Sequence, residues 1–591
     1  MTIDTLVVLA YFFLLVAIGW MFRKFTTSTS DYFRGGGKML WWMVGATAFM
    51  TQFSAWTFTG AAGRAFSDGF VVVILFLANA FGYFMNYMYF APKFRQLRVV
   101  TAIEAIRQRF GKTSEQFFTW GGMPDSLISA GIWLNGLAIF VAAVFNIPME
   151  ATIIATGLVL MLMAVTGGSW AVVASDFLQM VVIMAVTITC SIAAYFYGGG
   201  LTNIISNFHV GNESFEGSFM LGSNLNYISI FVLWVVFIFV KQFGVMNNSI
   251  NAYRYLCAKD SENARKAAGL ACILMVIGPL IWFLPSWYVA AFMPEFAQNF
   301  SSMGDKAGDA AYLAFVQEVM PAGMVGLLMS AMFAATMSSM DSGLNRNAGI
   351  FVMNFYSPIL RKNASQKELV VVSKTTTVVM GFIIIGIGLF INSLRHLSLF
   401  DIVLNVGALI GFPMLIPVLL GMWIRKTPDW SGWATLLVGG LVSYIFGISL
   451  QASHINEMFD ITLTGREWSD LKVGISLAAH VVFTGGFFLV SSLFYKGLSP
   501  EREAEVEQLF KNWNTPVVAE GEEQQNLDTR QRSMLGNLIS VAGFGIIAMA
   551  LIPNEITGRL LFLLCGSIVL TVGILLVNAA KGPKAKLAAV K

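Results

Sequence analysis

The amino-acid sequence predicts an all-α, polytopic membrane protein, and three observations carry that prediction. Of 591 residues, 57% are hydrophobic and 12% are charged, with a mean hydropathy of +0.70; an ordinary soluble domain carries about 25% charged residues. The apolar residues fall into repeated runs of about twenty or more, the length a helix needs to cross a bilayer. The Lys and Arg residues are dense in every second segment between these runs, as the positive-inside rule requires. Bare backbone finds no partner in hydrocarbon, so the runs cannot be lipid-exposed loops.

About fifteen helical spans are expected, near 3–22, 41–62, 68–92, 117–145, 149–167, 170–197, 227–250, 266–292, 322–354, 370–392, 399–424, 432–450, 473–495, 534–552 and 557–578. The first is followed, not preceded, by the basic pair Arg23 and Lys24 and lacks a small-x-small cleavage pattern. It is read as a retained helix and not as a signal peptide.

With the amino terminus outside and the carboxyl terminus inside, 30 of the 37 Lys and Arg fall in cytoplasmic segments. Six lie outside (Arg64, Lys306, Arg395, Arg466, Lys472 and Arg559), and Lys241 falls within a span. A miscounted span would scramble this alternation. Only short soluble pieces remain: 294–320 and 451–472 outside, and 496–533 inside. The last is rich in Glu and Gln and reads as a solvated amphipathic or disordered linker.

Several function classes are excluded on composition. Cys190, Cys257, Cys272 and Cys565 lack metal-ligand spacing and read as small buried hydrophobes. The four His form no metal cluster, and no phosphate-cradling G-x-x-x-x-G-K-[ST] loop is present. No cofactor, nucleic-acid partner or obligate protein partner is implied, and no catalytic constellation marks an enzyme. The net charge of +4 is explained by the membrane orientation.

Polar residues within membrane spans are costly, and so they mark function. The second span holds Thr47, Thr51, Gln52, Ser54, Thr57 and Thr59, a pattern pointing to a discontinuous helix that lines a wet cavity. The sixth carries Asp176, which needs a cation or a buried donor. The seventh ends in Lys241-Gln242-Phe-Gly244-Val-Met-Asn247-Asn248-Ser249-Ile-Asn251, rich in poor helix formers and so also broken. Lys241 and Asn248, seven residues and about two turns apart, share one side. The ninth span holds the run from Ala334 to Ser342, with Thr336, Ser338, Ser339, Asp341 and Ser342. Sodium must exchange its water shell for oxygens, which adjacent hydroxyls and the carbonyls freed by a broken helix supply.

At these residues the sequence resembles the sodium:solute symporter family, the group of bacterial sodium/galactose, sodium/proline and sodium/sialic acid symporters. Three stretches carry the resemblance over roughly residues 1–500: Ser30 to Ala46 leading to Phe53, Ser54, Ala55 and Gly60; the Gly-Gly-x-x-Ala-Val-x-x-x-Asp-x-x-Gln pattern ending at Asp176 and Gln179; and Ala335 to Ser339. The resemblance implies a LeuT-type fold of two inverted five-helix repeats with extra helices. The chain then divides into an accessory helix and cytoplasmic loop (1–40), a first repeat (41–197), a second repeat (227–424), accessory helices (425–495), a cytoplasmic linker (496–533), and a carboxyl-terminal helix pair with basic tail (534–591). Each repeat opens on one of the two spans that composition alone marks as broken.

The resemblance further implies a sodium site from the carbonyls of Met50, Phe53 and Ala335 with the hydroxyls of Ser338 and Ser339. A second cation site would use Asp176, Ser338, Asp341 and Ser342; Asp341 stands where the family usually has serine. The solute site would draw on Gln52, Trp56, Thr57, Asn79, Lys241, Asn248 and Asn405. Phe76 replaces a carboxylate of the sugar-transporting relative, and Lys241 offers a charge for a carboxylate. The implied function is sodium symport of an amino acid, monocarboxylate or other organic anion across the plasma membrane, the inner membrane in a bacterium. A sugar or polyol symporter, or a proton-coupled carrier in which Asp176 and Asp341 titrate, is the alternative.

Overall fold

Two of the apolar runs, 41–62 and 227–250, break off where hydroxyl, amide and glycine residues concentrate. The computed structural model describes residues 3–22, 35–145, 147–166, 169–211, 217–293, 295–296, 308–394, 398–519 and 522–590. In chain order, α1 (Ile3–Phe22) is followed by three short helices, α2 (Trp41–Thr51), α3 (Ala55–Phe58) and α4 (Gly60–Asp68). Then come α5 (Val71–Gln96), α6 (Ala102–Phe145), α7 (Met149–Thr166), α8 (Ser169–Tyr197) and α9 (Leu201–Gly211). A small antiparallel pair, β1 (Gly217–Ser218) with β2 (Gly222–Ser223), precedes α10 (Ile228–Met246), α11 (Ser261–Trp282), α12 (Leu284–Phe292) and α13 (Ala311–Val319). The chain continues through α14 (Met324–Leu360), α15 (Gln366–Ser393), α16 (Leu399–Gly421), α17 (Trp430–Ser449), α18 (Ala452–Phe459) and α19 (Gly465–Phe494). It ends with α20 (Pro500–Asn514), α21 (Glu522–Ala548) and α22 (Ile556–Val590).

Twelve helical stretches among the described residues are long and apolar enough to cross a membrane. The three remaining apolar runs are helical too: 3–22 is α1, 149–167 is α7 through Thr166, and 41–62 is divided among α2, α3 and the start of α4. Several boundaries differ from the sequence expectation, among them α11 from Ser261 and α21 from Glu522. The helix expected over 117–145 begins at Ala102, with one interruption at Gly111 (φ 79°). The helix expected from 473 begins at Gly465, because Thr464 and Glu467 form a capping box there. Arg466 and Asp470, which read as loop charges, pair one turn apart at 3.4 Å within it. The acidic linker contains α20, capped by Ser499, with Val506, Leu509 and Trp513 buried. Its Trp513 packs edge-on to Phe94, and Arg502 reaches Asp429 at 3.0 Å.

Small residues set the closest helix contacts, as expected where packing replaces the hydrophobic effect. Along α21 and α22, a Cβ at Gly543 would lie 2.6 Å from the Leu570 nitrogen, and one at Gly566 would lie 2.7 Å from the Ile547 nitrogen. The amino-terminal helix is tied to the core at its start. Asp4 Oδ1 accepts from the Gly323 and Gly326 amides at 3.1 and 2.7 Å, satisfying the exposed donors at the head of α14. Across the core, α2 lies against α11 at Gly45, where an added Cβ would come 2.8 Å from the Ala267 carbonyl oxygen. That oxygen is backbone and cannot move aside. Gly45→Val is therefore expected to cost about 1–3 kcal/mol by overpacking. The measurement is the melting temperature of the purified protein, which should fall by several degrees; an unchanged value would contradict this packing.

Candidate ion- and solute-binding site

The first break lies between α2 and α3. Gln52 ends α2 with φ −99° and ψ 1°, and Ser54 caps α3 in extended conformation, its hydroxyl accepting from the Trp56 amide at 3.2 Å. The Met50 oxygen, which accepts from the Phe53 amide at 3.2 Å, and the Phe53 oxygen both also face α14. Ser339 Oγ lies 3.1 Å from the Met50 oxygen and 3.0 Å from the Phe53 oxygen. On the same helix, Thr336 Oγ1 accepts from the Ala55 amide at 3.1 Å. A hydroxyl has one proton and two lone pairs. Ser339 can donate to only one of the two carbonyls at a time, and it can instead turn its lone pairs toward a cation that both carbonyls share.

Ser338 is 1% exposed. It sits beside the Asp176 carboxylate of α8. Thr47 donates to Asp176 Oδ2 from α2. The charge of the buried Arg254 also acts on Asp176. Ala335, one turn before Ser339, is fully buried. Met50, Phe53 and Ser339 meet at the break; Ala335 and Ser338 lie on the same helix, one turn before Ser339 and next to it, with Asp176 beside Ser338. The side chains of Asp341 and Ser342 lie outside the described ones.

The second break ends α10. The Asn248 amide turns back to donate to the Gly244 and Val245 oxygens at 2.8 Å each, and its Oδ1 accepts from the Ile250 amide at 3.0 Å. The exposed carbonyls of this helix end are capped by its own side chain. Asn86 of α5 donates to the Met246 oxygen at 2.7 Å, tying the break to a neighbouring helix.

Between the two breaks lies a cavity of about 230 Å³. Of the expected solute residues, Gln52, Trp56, Asn79 and Lys241 line it. Thr57 is buried off its surface, Asn248 is engaged in the cap, and Asn405 donates to the Asp401 oxygen one turn back. The cavity reaches Ile103, at the first turn of α6, and Ile350, near the end of α14. Its other end is shut. The Trp56 ring stacks on Phe400 (centroids 5.9 Å apart) and Phe76 (6.5 Å), and its indole N–H donates to the Leu399 oxygen at 3.3 Å. Beyond that stack Arg64 meets Asp68 at 2.7 Å and Asp470 at 3.7 Å, and Arg466 meets Asp470 at 3.4 Å.

Residues not expected at the solute site also line the cavity, chiefly Asp125, Gln242, Arg346 and Asn347. Asp125, a lone carboxylate within the expected fourth span, carried the same signal that singled out Asp176.

Residues 32–439 match the family described as sodium:solute symporter. Similar proteins include the sodium/glucose cotransporter of Vibrio parahaemolyticus, 26% identical over 76% of this chain and 85% of that protein. The sodium/sialic acid symporter NanT of Aliivibrio fischeri is 24% identical over 72% of this chain and 84% of its own length. The osmoregulated proline transporter OpuE of Bacillus subtilis is 24% identical over 76% and 89%. Among solved structures, the substrate-bound outward-open state of a Na+-coupled sialic acid symporter has a TM-score of 0.64 at 20% identity, covering 82% of this chain and 98% of that one; the two share a fold. With the family match running across both broken helices and the cavity between them, the chain belongs to the sodium:solute symporter family: it is a sodium-coupled membrane carrier of LeuT-type fold, not an enzyme.

Proposed function

We propose that this carrier moves a small carboxylate-bearing solute into the cell together with sodium, and that Lys241 is the solute's counter-charge. One observation carries the choice of solute. Lys241 is 4% exposed, lines the cavity, and has no hydrogen-bond or ion-pair partner among the described residues. A buried charge without a partner is expensive, and a bound carboxylate offsets that cost. Amides of Gln52, Asn79, Gln242 and Asn347 share the lining. They favour the second reading, a sugar or polyol, which is also the solute class in the name of the Vibrio relative.

The sodium site is assigned to the carbonyls of Met50, Phe53 and Ala335 with the hydroxyls of Ser338 and Ser339. The convergence of α2 and α14 on Ser339 supports it. Asp176 and Ser338, with Asp341 and Ser342 further along α14, would form a second cation site. Residues 41–197 and 227–424 are read as the two inverted repeats, with the amino terminus outside and the carboxyl terminus inside a plasma membrane. In that orientation the cavity faces the cytoplasm, and the Trp56 stack and the Arg64–Asp470 network close the outer side. Sodium arriving from outside would hold α2 against α14 and complete the neighbouring cavity, after which the barrier changes sides. Each charge moving down the membrane potential supplies about 2.3 kcal/mol per 100 mV, more than a tenfold solute gradient.

Two measurements test this reading. Ser339→Ala removes a cation ligand and the bridge between helices. The sodium concentration for half-maximal stabilisation against heat should rise about tenfold, or ~1.4 kcal/mol; an unchanged requirement would remove Ser339 from the site. Lys241→Gln keeps length and removes charge. Stabilisation by carboxylate-bearing solutes should weaken at least tenfold while stabilisation by sodium persists. If sugars alone stabilise the wild-type protein and Lys241→Gln leaves their effect intact, the sugar reading replaces this one.

A further inference from the structure

A second unpaired charge faces the same cavity, and its placement relative to Lys241 narrows the solute class. Asp125 of α6 lines the cavity and, like Lys241, has no hydrogen-bond or ion-pair partner among the described residues. Both side chains rest against glycines of α16. A Cβ at Gly407 would lie 2.7 Å from Lys241 Nζ, and one at Gly411 would lie 3.3 Å from Asp125 Oδ1. Gly407 and Gly411 are the two ends of one five-residue π-helical stretch within α16. Any side chain at either position would occupy the space taken by one charged group. The two glycines thus seat an ammonium and a carboxylate side by side, too far apart for a direct salt bridge.

The third charge at the cavity is already engaged. Arg346 donates to Ser126 Oγ at 3.0 Å and lies over the Tyr253 ring at 5.5 Å. It is half-buried and close in sequence to Ile350, at the open end of the cavity, so water shares its solvation. Its charge and that of Lys241 both act on Asp125. What remains without a direct hydrogen bond or ion pair is one positive and one negative group, at a separation that a molecule carrying both signs can bridge.

We propose that Asp125 and Lys241 form a two-pole cradle for a zwitterion, with the solute's ammonium on Asp125 and its carboxylate on Lys241, so that the carrier's solute is an amino acid. This rests on the assignment of Lys241 as the carboxylate's partner and adds a specificity-determining residue, Asp125. A charge-assisted contact at each pole gains strength in a site of low dielectric. A solute lacking the ammonium leaves the half-buried Asp125 without that contact, and the site disfavours it.

The test uses the full-length protein in sodium, with thermal stabilisation read across three probes: L-proline, cyclopentanecarboxylate and pyrrolidine. The wild-type protein should bind the zwitterion at least tenfold more tightly than either single-charge analogue. Asp125→Asn should abolish the advantage of L-proline over cyclopentanecarboxylate while sodium still stabilises the variant, which also reports that it folds. Gly411→Ala, which presses on Asp125 and leaves every charge in place, should reduce that advantage in the same direction. Equal binding of proline and cyclopentanecarboxylate by the wild type, or a preference that survives Asp125→Asn, overturns the cradle. If cyclopentanecarboxylate still binds in a Lys241-dependent way, the carboxylate reading stands without it. If none of the three probes binds and a sugar does, both fall together.

Discussion

The arrangement depends on one constraint, the need of backbone carbonyls at the end of a broken membrane helix to find partners in a place without water. The Met50 oxygen keeps one backbone donor, the Phe53 amide at 3.2 Å, while the Phe53 oxygen lies past the end of α2, where an unsatisfied group would cost several kcal/mol in hydrocarbon. Ser339 of α14 lies within 3.1 Å of both. The contact therefore couples the two helices, and any cation that replaces the hydroxyl's proton as partner strengthens the same joint. Thr336 adds a second tie to the far side of the break through the Ala55 amide. An ion held there would make binding and helix approach a single event, which is what coupling between an ion and a neighbouring cavity requires.

Closure of the cavity is asymmetric, and the asymmetry has a chemical cause at each end. The shut end is an aromatic stack under a group of two guanidiniums and two carboxylates, Arg64, Arg466, Asp68 and Asp470, all nearly buried. Arg466 also donates to the Ser223 and Leu221 oxygens, and Glu467 accepts from the Asn226 and Tyr227 amides at the start of α10. One turn of α19 thereby fastens the β1–β2 connection to the helix that ends in the second break. Buried pairs of this kind are weak sources of stability but strong determinants of which partner meets which. Opening this end requires separating charges that hold one another out of water.

Much of the helical layout was legible, because spans of apolar residues and the placement of Lys and Arg are set by the bilayer itself. The breaks were legible for the same reason: Thr, Ser and Asn are tolerated in such numbers only where backbone or ligand needs them. Misplaced starts came from charges that pair within the chain, as Arg466 with Asp470, where residue type alone reads as loop. Asn248 shows a different limit. Its spacing from Lys241 put both on one face only if the helix continued, but α10 stops at Met246 and the Asn248 side chain folds back to cap it. Direction is lost once a helix ends. The seats at Gly407 and Gly411 carry no sequence signal, because a glycine that clears room for a charge on another helix looks like any other glycine.

The central claim is that oxygens of α2 and α14 together hold the coupling ion. An ion-resolving structure of the protein in sodium, compared with one in a large organic cation, tests it most directly. The account predicts sodium-dependent density in contact with the Met50 and Phe53 oxygens and Ser339 Oγ, lost when sodium is withdrawn. Sodium-dependent density elsewhere, with none at those three oxygens, would contradict it.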